Sequence, residues 1–221
     1  MPASSPEPTD HRFVVLVPVK PPAVAKSRLA DLGDQARRRL ATAFAVDTVT
    51  AALDCPSVDR VLVVTDDHLL AGDLEELGVE ALPDGTSDDL NTTLRLAAAE
   101  MHRRHPGLWL AALCADLPAL RPDELGLVLR AAEPDRMTFV ADRQGLGTTL
   151  VMAPSVDRFV PRFGAGSRRH HLDAGAIELD AIDVPSVRRD VDDRTDLAEA
   201  VRLGVGPRTS VVVTALDLSV S

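Results

Sequence analysis

The chain has no tyrosine, one tryptophan and five phenylalanines. Proteins that hold single-stranded nucleic acid stack successive bases on aromatic side chains, and little material for such platforms exists here. A broad basic face is missing as well. Lys and Arg total 24 against 34 Asp and Glu, a formal net charge of −10, which argues against nucleic acid as a partner. Two cysteines, Cys55 and Cys114, are too few and too scattered for a disulfide framework or a metal knuckle. Cys114 falls in the apolar run 108–115 and reads as a small core hydrophobe. No apolar run approaches the ~20 residues that span a bilayer. Residues 1–11, rich in Pro, Ser and Glu, carry no basic-then-apolar leader pattern. The expectation is a cytoplasmic protein that does not enter membranes, with a disordered N-terminal segment over 1–12.

Lysine is nearly absent too. Lys20 and Lys26 are the only two, and the other 22 basic residues are arginine. Both stand in one loop with Arg28, directly after the β-branched run 13–17. Lysine is a compact point charge on a thin, flexible stem, suited to reaching a phosphate oxygen. In open α/β sheets, ligands bind beyond the carboxyl ends of strands. Two readings stand: solvated surface lysines, or an anion-binding loop for nucleotide phosphates.

What is present suits a single domain with a sizeable core: 221 residues, 45% of them hydrophobic. After the first strand, helical spacing covers 35–54 and ends at Cys55-Pro56. A buried strand over 60–65, a helix over 68–77 stopped by Gly78, and a strand over 79–82 follow. Continuous apolar strands alternating with helices predict an α/β fold, a mostly parallel sheet covered on both faces. A polar turn leads into a helix over 90–105, and the most apolar strand, 108–115, should be central. Strands over 137–141, 148–153 and 177–184 precede a last helix over 197–203. Residues 207–221 read as a tail in which 210–216 packs as an edge strand.

Several residues at strand ends carry candidate chemistry. Asn91 begins a helix, where it either caps or hydrogen-bonds a base or ribose. Asp116 directly follows the central strand, a costly place for a carboxylate unless its charge is compensated. A divalent cation holding a triphosphate is one compensation, since Mg²⁺ takes one or two carboxylates plus phosphate oxygens; a helix cap is the other reading. Gly145, Gly147, Thr148 and Thr149 make a small-residue turn that admits a ligand, or simply a hairpin. The stretch 163–171, Phe-Gly-Ala-Gly-Ser-Arg-Arg-His-His, offers backbone N–H groups, Ser167 and four basic side chains, as an anion cradle or a solvated basic edge. Adjacent His170 and His171 point apart and make a poor metal pair. Asp190 and Asp192, two apart, project to one face of extended chain. They join Asp116 as metal oxygens or cap the final helix.

In combination these pieces resemble one family. They are Pro-Val-Lys…Ala-Lys-Ser-Arg-Leu (18–29), Asp-Asp-Leu-Asn (88–91), Asp-Leu-Pro-Ala-Leu (116–120), Gly-Thr-Thr (147–149), Phe-Gly-x-x-Ser (163–167) and Asp-Val-Asp (190–192). The series is similar to the phosphoenolpyruvate or 2-phospho-L-lactate guanylyltransferases of deazaflavin coenzyme F-420 biosynthesis. The resemblance runs from about residue 14 to 206. It implies a three-layer, Rossmann-like GT-A-type nucleotidyltransferase domain over 13–206. It also implies GTP as nucleotide, phosphoenolpyruvate as acceptor and Mg²⁺ as cofactor. Thr148, Gly164 and Ser167 would hold phosphoenolpyruvate, and Asp116, Asp190 and Asp192 would bind Mg²⁺. Lys20, Lys26 and Arg28 would act in catalysis against the GTP phosphates, and Asn91 would belong with Lys20 and Lys26 to the nucleotide site. Roles for Arg168, Arg169, His170 and His171 do not follow from the resemblance, and homo-oligomer formation is left open. A molybdopterin-type nucleotidyltransferase, a sugar-nucleotide glycosyltransferase and a non-catalytic nucleotide-binding regulator are the competing readings. The choice among phosphoenolpyruvate, 2-phospho-L-lactate and 3-phosphoglycerate rests on a few pocket contacts.

Overall fold

The computed structural model describes residues 11–19, 29, 32–84 and 89–218. Lys20, Lys26 and Arg28, and with them the expected phosphate loop, lie outside the described residues. Strand β1 (Phe13–Pro18) is apolar throughout because it is buried from both sides. Phe13, Val15 and Val17 pack with Ala45, Val49 and Leu125, while Val14 and Leu16 pack with Leu94, Ala98 and Met101 in a separate core. Successive strand side chains point to opposite faces, so each face must be covered by helices.

The chain continues as α1 (Asp34–Leu53), β2 (Val58–Val64), α2 (His68–Glu75), β3 (Glu80–Leu82), α3 (Leu90–Arg104) and β4 (Trp109–Leu113). Then come α4 (Pro122–Arg130), β5 (Thr138–Ala141), β6 (Thr148–Ala153), α5 (Ser167–Asp173), β7 (Ile177–Glu178), α6 (Pro185–Arg188), α7 (Arg194–Leu203) and α8 (Pro207–Ala215). The sheet order is β3-β2-β1-β4-β6-β5-β7, which puts β4 in the middle as its apolarity predicts. Pairing is parallel except at β6, which runs antiparallel to both β4 and β5. The α/β, three-layer, mostly parallel architecture is therefore the one expected. No helix among the described residues is long and apolar enough to cross a membrane.

Two elements differ from expectation. The strand expected over 177–184 shrinks to Ile177–Glu178, and the chain turns into α6 at Pro185. Proline donates nothing to a strand ladder but fits the first position of a helix. The edge strand expected over 210–216 is helix α8. Its Val211-Val212-Val213 run favours a strand locally, but tertiary contacts override that preference. Asp47, buried within α1, accepts hydrogen bonds from the backbone N–H groups of Arg208 (3.0 Å) and Thr209 (2.7 Å) at the start of α8. Pro207 sets the first helical φ, and Val213 joins Leu40 and Phe44 in a third core beside α7.

Gly206 permits this docking, because a Cβ there would collide with the Asp47 carboxylate. The capping carboxylate is worth about 2 kcal/mol, given two charge-assisted bonds at a buried helix start. Asp47→Ala and Gly206→Ala should each lower the urea midpoint by a comparable amount. In the double variant the losses should not add, since both remove one docking.

Candidate active site

Because β6 alone runs backwards, its first residue, Thr148, meets the carboxyl ends of β1 and β4 at one edge of the sheet. A cleft of about 560 Å³ opens over that edge, lined among others by Asp116, Thr148, Gly164, Ser167, Asp190 and Asp192. Six of the sequence-derived candidates thus share one cleft.

One wall is acidic. Thr48 of α1 brackets Asp116: its hydroxyl donates to the Ala115 carbonyl (3.2 Å) and accepts from the Leu117 N–H (3.1 Å). The Asp116 carbonyl accepts from the Val191 N–H (3.1 Å), which lays the Asp190–Asp192 stretch alongside. Val191 is buried in the third core with Leu197 and Phe44, so the flanking Asp190 and Asp192 emerge on the other face. Arginines fix the stretch before it. Arg188 donates to the carbonyls of Ala141 (3.2 Å) and Leu179 (2.5 Å), and Arg189 pairs with Glu199 (2.5 Å) on α7.

Helix capping does not explain these acids. The cap of α7 is Asp193, reciprocated by Asp196 in a capping box, and α4 begins with Arg121 and Pro122, well past Asp116.

The facing wall is a polar loop. Gly164 adopts φ 131°, a conformation that side-chain-bearing residues rarely take. Ser167, almost fully buried, opens α5, and its N–H donates to the Gly164 carbonyl (3.1 Å). Asn91 holds this loop from α3. Its amide donates to the Phe163 carbonyl (3.0 Å) and accepts from the Phe163 N–H (2.7 Å). Asp89, not Asn91, caps α3. A nucleotide contact by Asn91 would therefore have to use its second N–H or the second lone pair of Oδ1.

The basic run expected to crown this loop is dispersed. Arg168 pairs with Glu178 (2.9 Å), Arg169 with Asp173 (2.9 Å), His170 is exposed, and His171 is buried.

A family model described as "Guanylyl transferase CofC like" matches residues 13–221. A phosphoenolpyruvate guanylyltransferase of Streptomyces scabiei is 50% identical over 210 residues, covering 93% of this chain and 97% of that protein. The chain belongs to the CofC-like guanylyl transferase family. Two solved structures share the fold at low identity. One is a nucleotide-diphospho-sugar transferase from Desulfovibrio desulfuricans, with TM-score 0.68 and 16% identity, covering 96% of this chain and 100% of that one. The other is a Mycobacterium tuberculosis protein in complex with manganese, with TM-score 0.50 and 16% identity, covering 87% and 98%.

The acidic wall of this family member offers oxygen ligands only, and Oδ1 of Asp116 is itself buried. Among the described residues no three His, Cys, Asp or Glu side chains gather into a ready metal cage. That donor set fits a cation such as Mg²⁺, which keeps few protein ligands and fills its shell with substrate phosphates and water.

Reasoning from sequence missed the role of His171. The available signal was its spacing: residues four apart share a helix face, so His171 comes beneath Ser167 once α5 starts there. Burial pushes its pKa down to about 4, helped by nearby His170 and Arg162 and opposed by a hydrogen bond to the Ser167 backbone. In the unfolded chain a histidine titrates near 6.5, so between these values the unfolded state binds the extra proton. Stability from this group is complete above about pH 6.5 and is lost as pH falls towards 4. Urea unfolding at pH 7.5 and 5.0 should show a loss of about 2 kcal/mol that His171→Phe largely abolishes.

Proposed function

We propose that this protein transfers GMP from GTP to the phosphate of phosphoenolpyruvate, giving enolpyruvyl-diphospho-5'-guanosine and diphosphate, a step of coenzyme F-420 biosynthesis. What supports this most is the placement of Asp116, Asp190 and Asp192 opposite Thr148 and Ser167 in one cleft, in a chain half-identical to a phosphoenolpyruvate guanylyltransferase.

An oxygen of the acceptor phosphate attacks the α-phosphorus of GTP, and the bond to the bridging oxygen breaks, so that diphosphate leaves with the electron pair. A phosphate monoester is already an anionic nucleophile, so no general base is required. Catalysis then consists of in-line positioning and charge neutralisation. Thr148, Gly164 and Ser167 hold the acceptor. Asp116, Asp190 and Asp192 would supply the carboxylate oxygens for Mg²⁺. Bound there, a divalent cation would offset the charge of the triphosphate and of the departing diphosphate. Lys20, Lys26 and Arg28 belong to the segment that follows Pro18 and Val19, two further cleft residues, and are assigned to the GTP phosphates.

The test is diphosphate release with Mg²⁺ and GTP, comparing phosphoenolpyruvate, 2-phospho-L-lactate, 3-phosphoglycerate and no acceptor. Release that requires an acceptor and is strongest with phosphoenolpyruvate is expected; none with any acceptor would overturn the reading. Asp116→Asn should lower kcat by at least about 100-fold while the thermal midpoint stays near that of the parent. Near-normal turnover at saturating Mg²⁺ would remove Asp116 from the metal site.

A further inference from the structure

His171 has no exposed surface and no part in the chemistry just described, yet both its ring nitrogens are engaged. The Arg162 backbone N–H donates to Nε2 at 2.8 Å, and Nδ1 lies 3.0 Å from Thr148 Oγ1. An N–H can only donate, so Nε2 is the unprotonated nitrogen and the ring proton of neutral His171 resides on Nδ1. The Ser167 carbonyl, which can only accept, also favours a proton on the ring.

The hydroxyl of Thr148 is thereby constrained. A protonated Nδ1 cannot accept a hydrogen bond; its proton faces Oγ1 and the Ser167 carbonyl, and Thr148 cannot donate to it. The Thr148 hydrogen must turn elsewhere, and Thr148 lines the cleft. We infer that His171 is a positioning residue: through its Nδ1–H tautomer it fixes the Thr148 hydroxyl as a hydrogen-bond donor into the cleft, selecting an anionic oxygen of the acceptor. The opposite tautomer would take the Thr148 hydrogen and turn a lone pair on the ligand, repelling a phosphate or carboxylate. A buried neutral imidazole thus confers polarity on a neighbouring hydroxyl without carrying charge.

This inference rests on the proposal that Thr148 contacts the acceptor, and its tests separate the two. Long-range ¹H–¹⁵N spectra of the full-length protein at pH 7.5 should show His171 protonated at Nδ1. An Nε2–H pattern would overturn the inference whatever the kinetics. Thr148→Val should raise the acceptor KM about tenfold, the cost of one charge-assisted hydrogen bond. His171→Phe should do the same, with kcat and the GTP KM within about threefold of the parent. In the Thr148→Val background, His171→Phe should add nothing further to the acceptor KM. His171→Asn, which keeps a donor near the Nδ1 position, should restore most of the loss.

If Thr148→Val raises the acceptor KM and His171→Phe does not, or if their effects multiply, the positioning role is overturned. If Thr148→Val leaves that KM unchanged, the placement of the acceptor at Thr148 falls instead.

Discussion

The hydrogen bond from the Val191 N–H to the Asp116 carbonyl joins two segments 75 residues apart at the mouth of the sheet. It uses only backbone, yet it decides where three carboxylates stand. Asp116 is delivered by the central strand and Asp190 and Asp192 by a loop with no strand of its own, and that bond ties the two directly. Thr48 reinforces the junction from α1 by satisfying the carbonyl and N–H on either side of Asp116. A fully buried threonine in that position spends its hydroxyl on both duties at once.

The chain holds 34 acidic residues, and the structure sorts them by task. Asp47, Asp67, Asp89 and Asp193 accept backbone N–H groups at helix starts. Glu80, Glu178 and Glu199 neutralise arginines that fasten one element to another. Asp116, Asp190 and Asp192 line the cleft, and other residues cap the helices nearest them. The same sorting acts on cations: Arg168, Arg188 and Arg189 are committed to structural partners. In the run 168–171, Arg168 and Arg169 therefore become, in space, one side of two ion pairs.

The two walls of the cleft are built on different physical terms. The acidic wall presents carboxylate oxygens, the ligand type that hard cations such as Mg²⁺ prefer. The facing wall is nearly neutral and depends on direction: backbone held by Asn91, the turn at Gly164, a buried serine, and a threonine set by a histidine whose charged form burial disfavours. Charge compensation is thus assigned to one side and the aim of hydrogen-bond donors to the other.

Much of this was legible in the sequence because it follows from local pattern. Continuous apolar runs specify buried strands, and 108–115 is apolar enough to be central. The carboxylates at strand and loop ends, Thr148 and the glycine loop stand out as exceptions to those patterns. Their order along the chain was sufficient to identify the family resemblance. Tertiary structure decided what local pattern cannot encode. The reversed direction of β6 brings Thr148 to the carboxyl ends of its neighbours, and pairing direction depends on partners distant in sequence. Asp47 turns a valine-rich stretch into a helix 161 residues away, against its strand preference. Asn91 clamps Phe163 across 72 residues, and His171 acquires a fixed tautomer from the Arg162 backbone N–H. Residue type and periodicity are properties of a segment; the partner of a buried hydrogen bond is a property of the folded chain.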